Sequence, residues 1–276
     1  MPIRVWHALR APRWAREYAS RIVHELRTTV VIPALDEEDS LPLVIGGLRA
    51  ADVPVAEIVV VDNGSRDRTA EVARRAGATV LHEPRRGYGS ACLRALEHVE
   101  SRLACGDAAE RADPVIVFLD ADHSDYPEDL GSLLDPIARD EADFVVGSRL
   151  VLREARAAVP LPSQVGNAIA TAVMRWRYGV HFTDLGPFRA IRHGALRRLR
   201  MRDRTWGWTV EMQLRACQER LRMREVPVRY RLRSAGRSKI SGSLVGAARA
   251  AVKILVVLGR LAWRGVPPSR FELPAQ

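Results

Sequence analysis

The chain has 276 residues, 47% of them hydrophobic, and a formal net charge of +10. That length suits one large α/β domain with a small appendage, and the basic excess favours an anionic partner: nucleic acid, nucleotide phosphates or an anionic membrane face. Cys92, Cys105 and Cys217 lie far apart without CxxC spacing, which argues against a disulfide framework or zinc site and fits a reducing cytoplasm.

The first 27 residues form a basic segment with scattered charges and no apolar core, unlike a signal peptide. "TTVVIP" (28–33) is a short β-branched run expected to be a buried strand. Leu41, Val44, Ile45 and Leu48 then recur at helical spacing behind Asp39 or Ser40 as a cap. "EIVVVD" (57–62) predicts a second strand, and 66–77 a helix closed by Gly77. A third strand follows over 78–82 and a third helix over 89–104. "PVIVFLD" (114–120) reads as a fourth strand, 126–140 as a helix with proline at its start, and 143–148 as a fifth strand. Continuous apolar strands alternating with amphipathic helices predict an α/β fold, a doubly wound and mostly parallel sheet with helices on both faces.

Beyond residue 150 the pattern loosens. Residues 161–179 and 207–221 read as helices, and "FTDLGPFRAI" as a turn entering a strand. "MREVPVRYRLR" is a strand interrupted by proline and so expected at a sheet edge. "AGRSKISG" is a glycine-serine loop. Over 244–264, Arg249, Lys253, Arg260 and Arg264 fall within roughly 60° of one another on a helix. The remaining surface is apolar, giving a C-terminal amphipathic helix. It suits packing on the domain, a dimer contact or a membrane surface, and Trp6, Trp14 and the basic N-terminal segment tilt the reading toward membrane. No uncharged apolar stretch of about 20 residues is present to span a bilayer.

Ligands of open parallel sheets bind beyond the carboxyl ends of the strands. There the chain places Pro33, Ala34, Asp36 and Glu37 after strand one, Asp62 after strand two, Asp120 and Asp122 after strand four, and Ser148 and Arg149 after strand five. A nicotinamide-binding domain would need GxGxxG in the first turn, where "PALDEED" stands instead. Gly87 and Gly89 come later, in "RRGYGSA", and suit a backbone passing close to a ligand or an ordinary turn. In extended backbone Asp120 and Asp122 point the same way. Two hard carboxylates at a strand end suit Mg²⁺ or Mn²⁺ together with substrate phosphates.

Six segments, "VVIPALDEE", "VVDNGSRDRT", "RRGYGSA", "VFLDADHSDYPEDL", "VVGSR" and "TDLGPFRAI", together resemble the family 2 glycosyltransferases of GT-A fold, in the branch of the dolichyl- and polyprenyl-phosphate sugar synthases. The resemblance runs from about residue 28 to residue 242. It implies that Pro33, Ala34 and Glu37 flank a nucleoside, Asp62 contacts base or ribose, and Gly87 and Gly89 line the base pocket. It sets Asp120, Ala121 and Asp122 at the ribose, metal and diphosphate, with Asp120 and Asp122 as metal ligands. It further implies a domain over 28–240, with a nucleotide-sugar half (28–150) and an acceptor half (151–240), followed by the helix and tail of 241–276. Asp36 stands where the family usually has asparagine, His123 where a small or apolar residue is expected, and long C-terminal transmembrane segments are missing.

For the acceptor half, Asp184 and Glu211 are candidate catalytic bases. Each has a plain structural alternative, a turn or cap for Asp184 and a salt bridge for Glu211. Trp208 would stack on a sugar or lie against lipid, as would its neighbour Trp206. Arg149 would hold an acceptor phosphate unless it serves a salt bridge. Arg237, Ser238 and Lys239 resemble the family loop that closes over the diphosphate. Lysine occurs only at 239 and 253, and a compact ammonium suits a phosphate. His123 is a further ligand, a sugar contact or a loop residue.

The expected activity is metal-dependent, inverting transfer of a hexose from a UDP- or GDP-sugar. The acceptor is polyprenyl phosphate at the cytoplasmic membrane face or, alternatively, a small-molecule hydroxyl. Peripheral membrane contact and a homo-oligomer are both compatible with this reading. A nucleotidyltransferase is disfavoured by the acidic first turn. A nucleic-acid partner is disfavoured by acidic strand ends and by the lack of aromatic-basic interleaving.

Overall fold

In the computed structural model the described residues are 25–105 and 113–233, with Val23 and Gly259 besides. Most of the basic N-terminal segment, including Trp6 and Trp14, the Arg237, Ser238 and Lys239 loop, and all of the C-terminal amphipathic helix but Gly259 therefore lie outside the described residues.

Seven strands form one sheet: β1 (Thr28–Ala34), β2 (Glu57–Asp62), β3 (Thr79–His82), β4 (Val115–Phe118), β5 (Phe144–Ser148), β6 (Arg189–Arg192) and β7 (Met223–Pro227). Their spatial order is β3-β2-β1-β4-β6-β5-β7. Helices α1 (Leu41–Ala50), α2 (Thr69–Arg75), α3 (Tyr88–Cys105) and α4 (Leu130–Ala138) belong to the first half. Helices α5 (Arg153–Ala158), α6 (Leu161–Tyr178), α7 (His193–Leu199) and α8 (Trp208–Gln218) belong to the second.

The strands are apolar on both sides because both faces of the sheet are covered. Side-chain alternation divides each strand between two cores. Val31, Val59, Val61 and Phe118 face α3, α6 and α8, in a core that also takes Met174, Trp208 and Leu214. Val30, Ile32, Val60 and Val117 face the opposite way, with Leu41, Val44, Leu48 and Leu133.

Two outcomes depart from the simple βα series. Strand β6 is antiparallel to both β4 and β5 and fills the gap between them. A buried arginine begins it: the Arg189 guanidinium donates to the carbonyls of Leu185, Gly186 and Thr209. Helices α5 and α7 are additional elements; each is short and lacks the repeated apolar spacing that reveals a helix in sequence. Among the described residues strand β7 pairs with β5 alone, and it ends at Pro227, the edge position that its proline requires.

The parallel register sets the rim. Ala34 pairs with Asp62, and Asp62 with His82. On the other side Val31 pairs with Phe118, where β4 ends, and the Leu119 N–H still donates to the Val31 carbonyl. The chain then leaves the ladder, so Asp120 and Asp122 sit in a turn beyond the strand.

Candidate active site

The first βα turn is built on Asp36, which adopts a left-handed φ of 50°. Aspartate tolerates that conformation better than most residues, which makes it a workable replacement for asparagine here. The Asp36 N–H donates to Ser65 Oγ (3.0 Å), and its carboxylate accepts from the Arg66 N–H (2.7 Å). Glu37 is buried: its N–H donates to Thr69 Oγ1 (2.8 Å), and Oε2 accepts from Ser40 Oγ (2.8 Å). Asp62, at the end of β2, accepts from the Ser65 N–H (2.9 Å).

Asn63, next in line, ties the following loop together. Its amide nitrogen donates to the carbonyls of Glu83 and Arg85, and its oxygen accepts from the Gly87 N–H (2.7 Å). The glycine pair packs closely against another part of the protein. A Cβ on Gly87 would overlap the Arg204 carbonyl oxygen, and one on Gly89 the Asp203 carbonyl oxygen. The Gly89 and Ser90 N–H groups donate to Thr205 O and Arg204 O. Close approach was expected; its partner is the 203–205 segment.

Asp122 is not in extended backbone, as the strand-based expectation had it. Its Oδ1 accepts from the Ser124 N–H (3.0 Å) and Oγ (2.5 Å), an Asx-type turn. His123 in that turn has φ 58°. Its carbonyl accepts from Arg231 Nε (2.8 Å), and its Nε2 lies 2.5 Å from Arg231 Nη2. Burial, followed by the Arg231 charge, lowers the His123 pKa, and the ring is attached to this arginine. Oδ1 of Asp120 is buried and without a hydrogen-bond partner among the described residues. Burial, followed by the Asp122 charge, raises the Asp120 pKa to about 7.

The residues that sequence reading missed are in "RYRLR". Arg229, Arg231 and Arg233 are two apart, so in extended chain they face one way. Arg229 binds Asp129 (Nε to Oδ1, 2.8 Å) and stacks on Tyr126; Arg231 covers the same ring, 4.0 Å from its centroid. Arg233 bridges the rim, with Nη2 2.5 Å from Glu37 Oε1 and Nε 3.3 Å from Asp122 Oδ2. Period-two arginines were the available signal. The intervening Tyr230 pairs with Asp125 in an isolated antiparallel bridge and lies under Arg149, 5.1 Å from ring centroid to Cζ. Asp125 is buried, and neither carboxylate oxygen has a partner among the described residues. Burial pushes its carboxyl well above the ordinary range, against the pull of Arg149.

The acceptor-half expectations are corrected by burial. Asp184 is fully buried and receives Arg149 through Nε (2.8 Å), Nη2 (3.0 Å) and the backbone N–H (3.0 Å). Asn167 Nδ2 and the Leu185 N–H complete its shell. Burial alone would raise its pKa, but the Arg149 charge and these bonds hold it below the usual carboxylate value. Asp184 is thus held in a buried ion pair, with Arg149 as its partner. Glu211 is also buried, accepting from the N–H groups of Arg202 and Asp203 and from Arg215 Nε (2.7 Å). It pins the segment against which Gly87 and Gly89 pack. Trp208 is fully buried, edge-on to Phe118 at 5.8 Å, and cannot stack on a sugar. Trp206, beside Tyr88, is the exposed tryptophan of the pair.

A divalent cation fits this rim on two grounds. Asp120 offers an orphaned buried oxygen, and Asp122 lies two residues on. Among the described residues no group of three or more His, Cys, Asp or Glu side chains could hold an ion unaided. Mg²⁺ and Mn²⁺ commonly complete their shells with substrate phosphates, so two carboxylates suffice.

A mixed sheet with one antiparallel insertion and paired aspartates at its carboxyl rim is the GT-A architecture that the motif resemblance implied. A family model described as glycosyl transferase family 2 matches residues 29–200, and the chain belongs to that family. It is similar to an uncharacterised glycosyltransferase of Mycobacterium tuberculosis, 37% identical over 79% of this chain and 91% of that one. It is also similar to the undecaprenyl-phosphate mannosyltransferase of Micrococcus luteus (32%, 81% and 91%) and the polyprenol monophosphomannose synthase of Mycolicibacterium smegmatis (30%, 85% and 89%). Among solved structures, glucosyl-3-phosphoglycerate synthase of M. tuberculosis, in complex with Mn²⁺, UDP and phosphoglyceric acid, matches with a TM-score of 0.70. It is 22% identical, covering 97% of this chain and 88% of that one, a likeness of fold.

Proposed function

We propose that this glycosyltransferase moves a hexose from a UDP- or GDP-sugar to polyprenyl phosphate at the cytoplasmic face of the membrane, by inverting displacement. The observation that carries the choice of acceptor is the commitment of Asp184 and Glu211, the two expected bases, to internal pairs. A hydroxyl acceptor needs a base to take its proton. A phosphomonoester oxygen is already ionised and needs none. The lipid-phosphate names of the relatives from Micrococcus and Mycolicibacterium support the same reading.

In this reading Pro33, Ala34, Glu37 and Asp62 flank the nucleoside, with Gly87 and Gly89 shaping the loop beside it. Asp120 and Asp122 would hold Mg²⁺ or Mn²⁺, which when bound would neutralise the donor diphosphate and stabilise it as it leaves. Arg233, which ties Glu37 to Asp122, exchanges those carboxylates for the diphosphate as the donor enters. Lys239, Arg237 and Ser238 follow a few residues later and supply further positive and polar groups to it. The acceptor phosphate oxygen attacks the anomeric carbon, a new C–O bond forms, and the bond to the nucleoside diphosphate breaks. The leaving oxygen keeps the electron pair.

A hydroxyl acceptor is the second reading, and Asp125 favours it: a buried carboxyl without a partner among the described residues is a candidate base. The deciding experiment offers UDP- and GDP-hexoses with Mn²⁺ to the enzyme and undecaprenyl phosphate, and looks for label in the lipid phase. Transfer that survives Asp125→Asn supports the phosphate acceptor. No lipid product from any donor sinks it.

A further inference from the structure

Helix α6 has two opposed faces. Its buried side carries Asn167, Ala170, Thr171 and Met174. Its outer side carries Leu161, Val165, Ile169 and Trp176, exposed by 75%, 58%, 44% and 81%. At 100° per residue these four fall within about 80° of one another, so they form one stripe along a helix about 27 Å long. Ala168 and Ala172 lie between them and are exposed too. A scattered exposed leucine needs no explanation, but a continuous apolar stripe marks an interaction surface.

Charge says what covers it. α6 contains no acidic residue; its charges are Arg175 and Arg177, which flank Trp176. α5, just before it, adds Arg153 and Arg156 against one acid, Glu154. A tryptophan between arginines at the end of an apolar stripe is the pattern of a helix lying in a bilayer interface, with arginines reaching lipid phosphates. Among the described residues no helix is long and apolar enough to cross a membrane, so this one lies on the surface.

Its inner face reaches the catalytic half. Asn167 bonds Asp184, which holds Arg149 at the end of β5. The apolar stripe and the acceptor side of the rim are therefore separated by about one helix diameter, roughly 10–12 Å. We propose that the Leu161, Val165, Ile169 and Trp176 face of α6 docks this enzyme on an anionic lipid bilayer and brings its acceptor side to headgroup level. The inference deepens the lipid-acceptor reading and rests on it.

The test is sedimentation of the full chain with phosphatidylcholine vesicles, with and without phosphatidylglycerol. The wild type is expected to sediment with the anionic vesicles. The triple variant Val165→Ser, Ile169→Ser, Trp176→Ser is expected to partition about tenfold or more weakly, with an unchanged melting temperature because the side chains are exposed. Trp176→Ala alone should fall between, which keeps the test usable if the triple variant misfolds. Donor hydrolysis in solution should be equal in all. A wild type that stays in the supernatant overturns the proposal, as does a triple variant that sediments like wild type. A wild-type dimer that the triple variant dissociates, with vesicle binding unchanged, assigns the face to a second copy and also overturns it. Vesicle binding that depends on this face, without sugar transfer to polyprenyl phosphate, defeats the acceptor reading and leaves the docking face standing.

Discussion

The two halves of the rim use charge in opposite ways. At the ends of β1, β2 and β4, where the donor is proposed to bind, one carboxylate is orphaned and two share an arginine. Asp120 has an unpartnered oxygen, and Asp122 and Glu37 share Arg233. Beyond β5 and β6, where the acceptor is proposed to bind, charges are consumed within the fold: Arg149 with Asp184, Glu211 with Arg215 and two backbone N–H groups. An acid in a rim is therefore not a catalyst by virtue of its place. What separates Asp120 from Asp184 and Glu211 is that the fold leaves a buried Asp120 oxygen without a partner among the described residues, and an unsatisfied buried carboxylate is costly unless a ligand completes it.

The contrast is broken most directly at Asp184. Asp184→Ala leaves the Arg149 guanidinium buried and unpaired, with an expected cost of about 3–5 kcal/mol of stability, read by chemical denaturation. A variant of wild-type stability that has lost only activity would return Asp184 to the catalytic set. Asp122→Ala should do the reverse. Activity falls about a hundred- to a thousandfold, as for loss of a group that stabilises developing charge, while stability falls only by about 1–2 kcal/mol, because the Ser124 bonds are given up but Arg233 keeps Glu37. Glu211→Gln gives up charge and at least one of three donors, for about 1–3 kcal/mol. The loosened 202–205 segment should appear as faster amide exchange at Gly89 and Ser90.

A further comparison concerns pH. Glu225, buried in β7, accepts from the Thr183 and Asp184 N–H groups. Asp120 and Glu225 have ordinary values of 3.8 and 4.5, and each is raised to about 7 in the fold, mainly by burial. Both bind their proton more tightly folded than unfolded. The stability that they contribute is thus full at low pH and lost as pH climbs through that window to about 7. Melting of the metal-free enzyme should decline over that range, and Asp120→Asn should flatten the decline. Mn²⁺ affinity should run the opposite way, rising by up to about tenfold per pH unit below 7, because the metal needs ionised ligands. Calorimetric titration at pH 6 and pH 8 checks the sign.

Much of the first half was legible in sequence because its signals are local. Apolar runs of four to seven residues, punctuated by Gly77 and by prolines, mark β1 to β5 and α1 to α4 within a few residues. The slot taken by β6 was not legible. Nothing in "RAIR" states that it enters antiparallel between β4 and β5; that depends on where α6 returns the chain and on the burial of Arg189. Trp208 and Trp206 illustrate the same limit: two residues apart and chemically identical, one is core and the other exposed.

By itself, then, the sequence determined the order of strands and helices, the burial of the sheet on both faces, and the gathering of Glu37, Asp62, Asp120 and Asp122 at one rim. These follow from periodicity and from the direction of parallel strands, which are properties of neighbouring residues. Only the tertiary structure decided which acids stay available. Arg233 reaches Glu37 across 196 positions, and Asp184 finds Arg149 across 35. In a chain with 43 basic and 33 acidic residues, such pairings carry no period and no spacing rule. They are set by burial and by the loops that the packed sheet brings together.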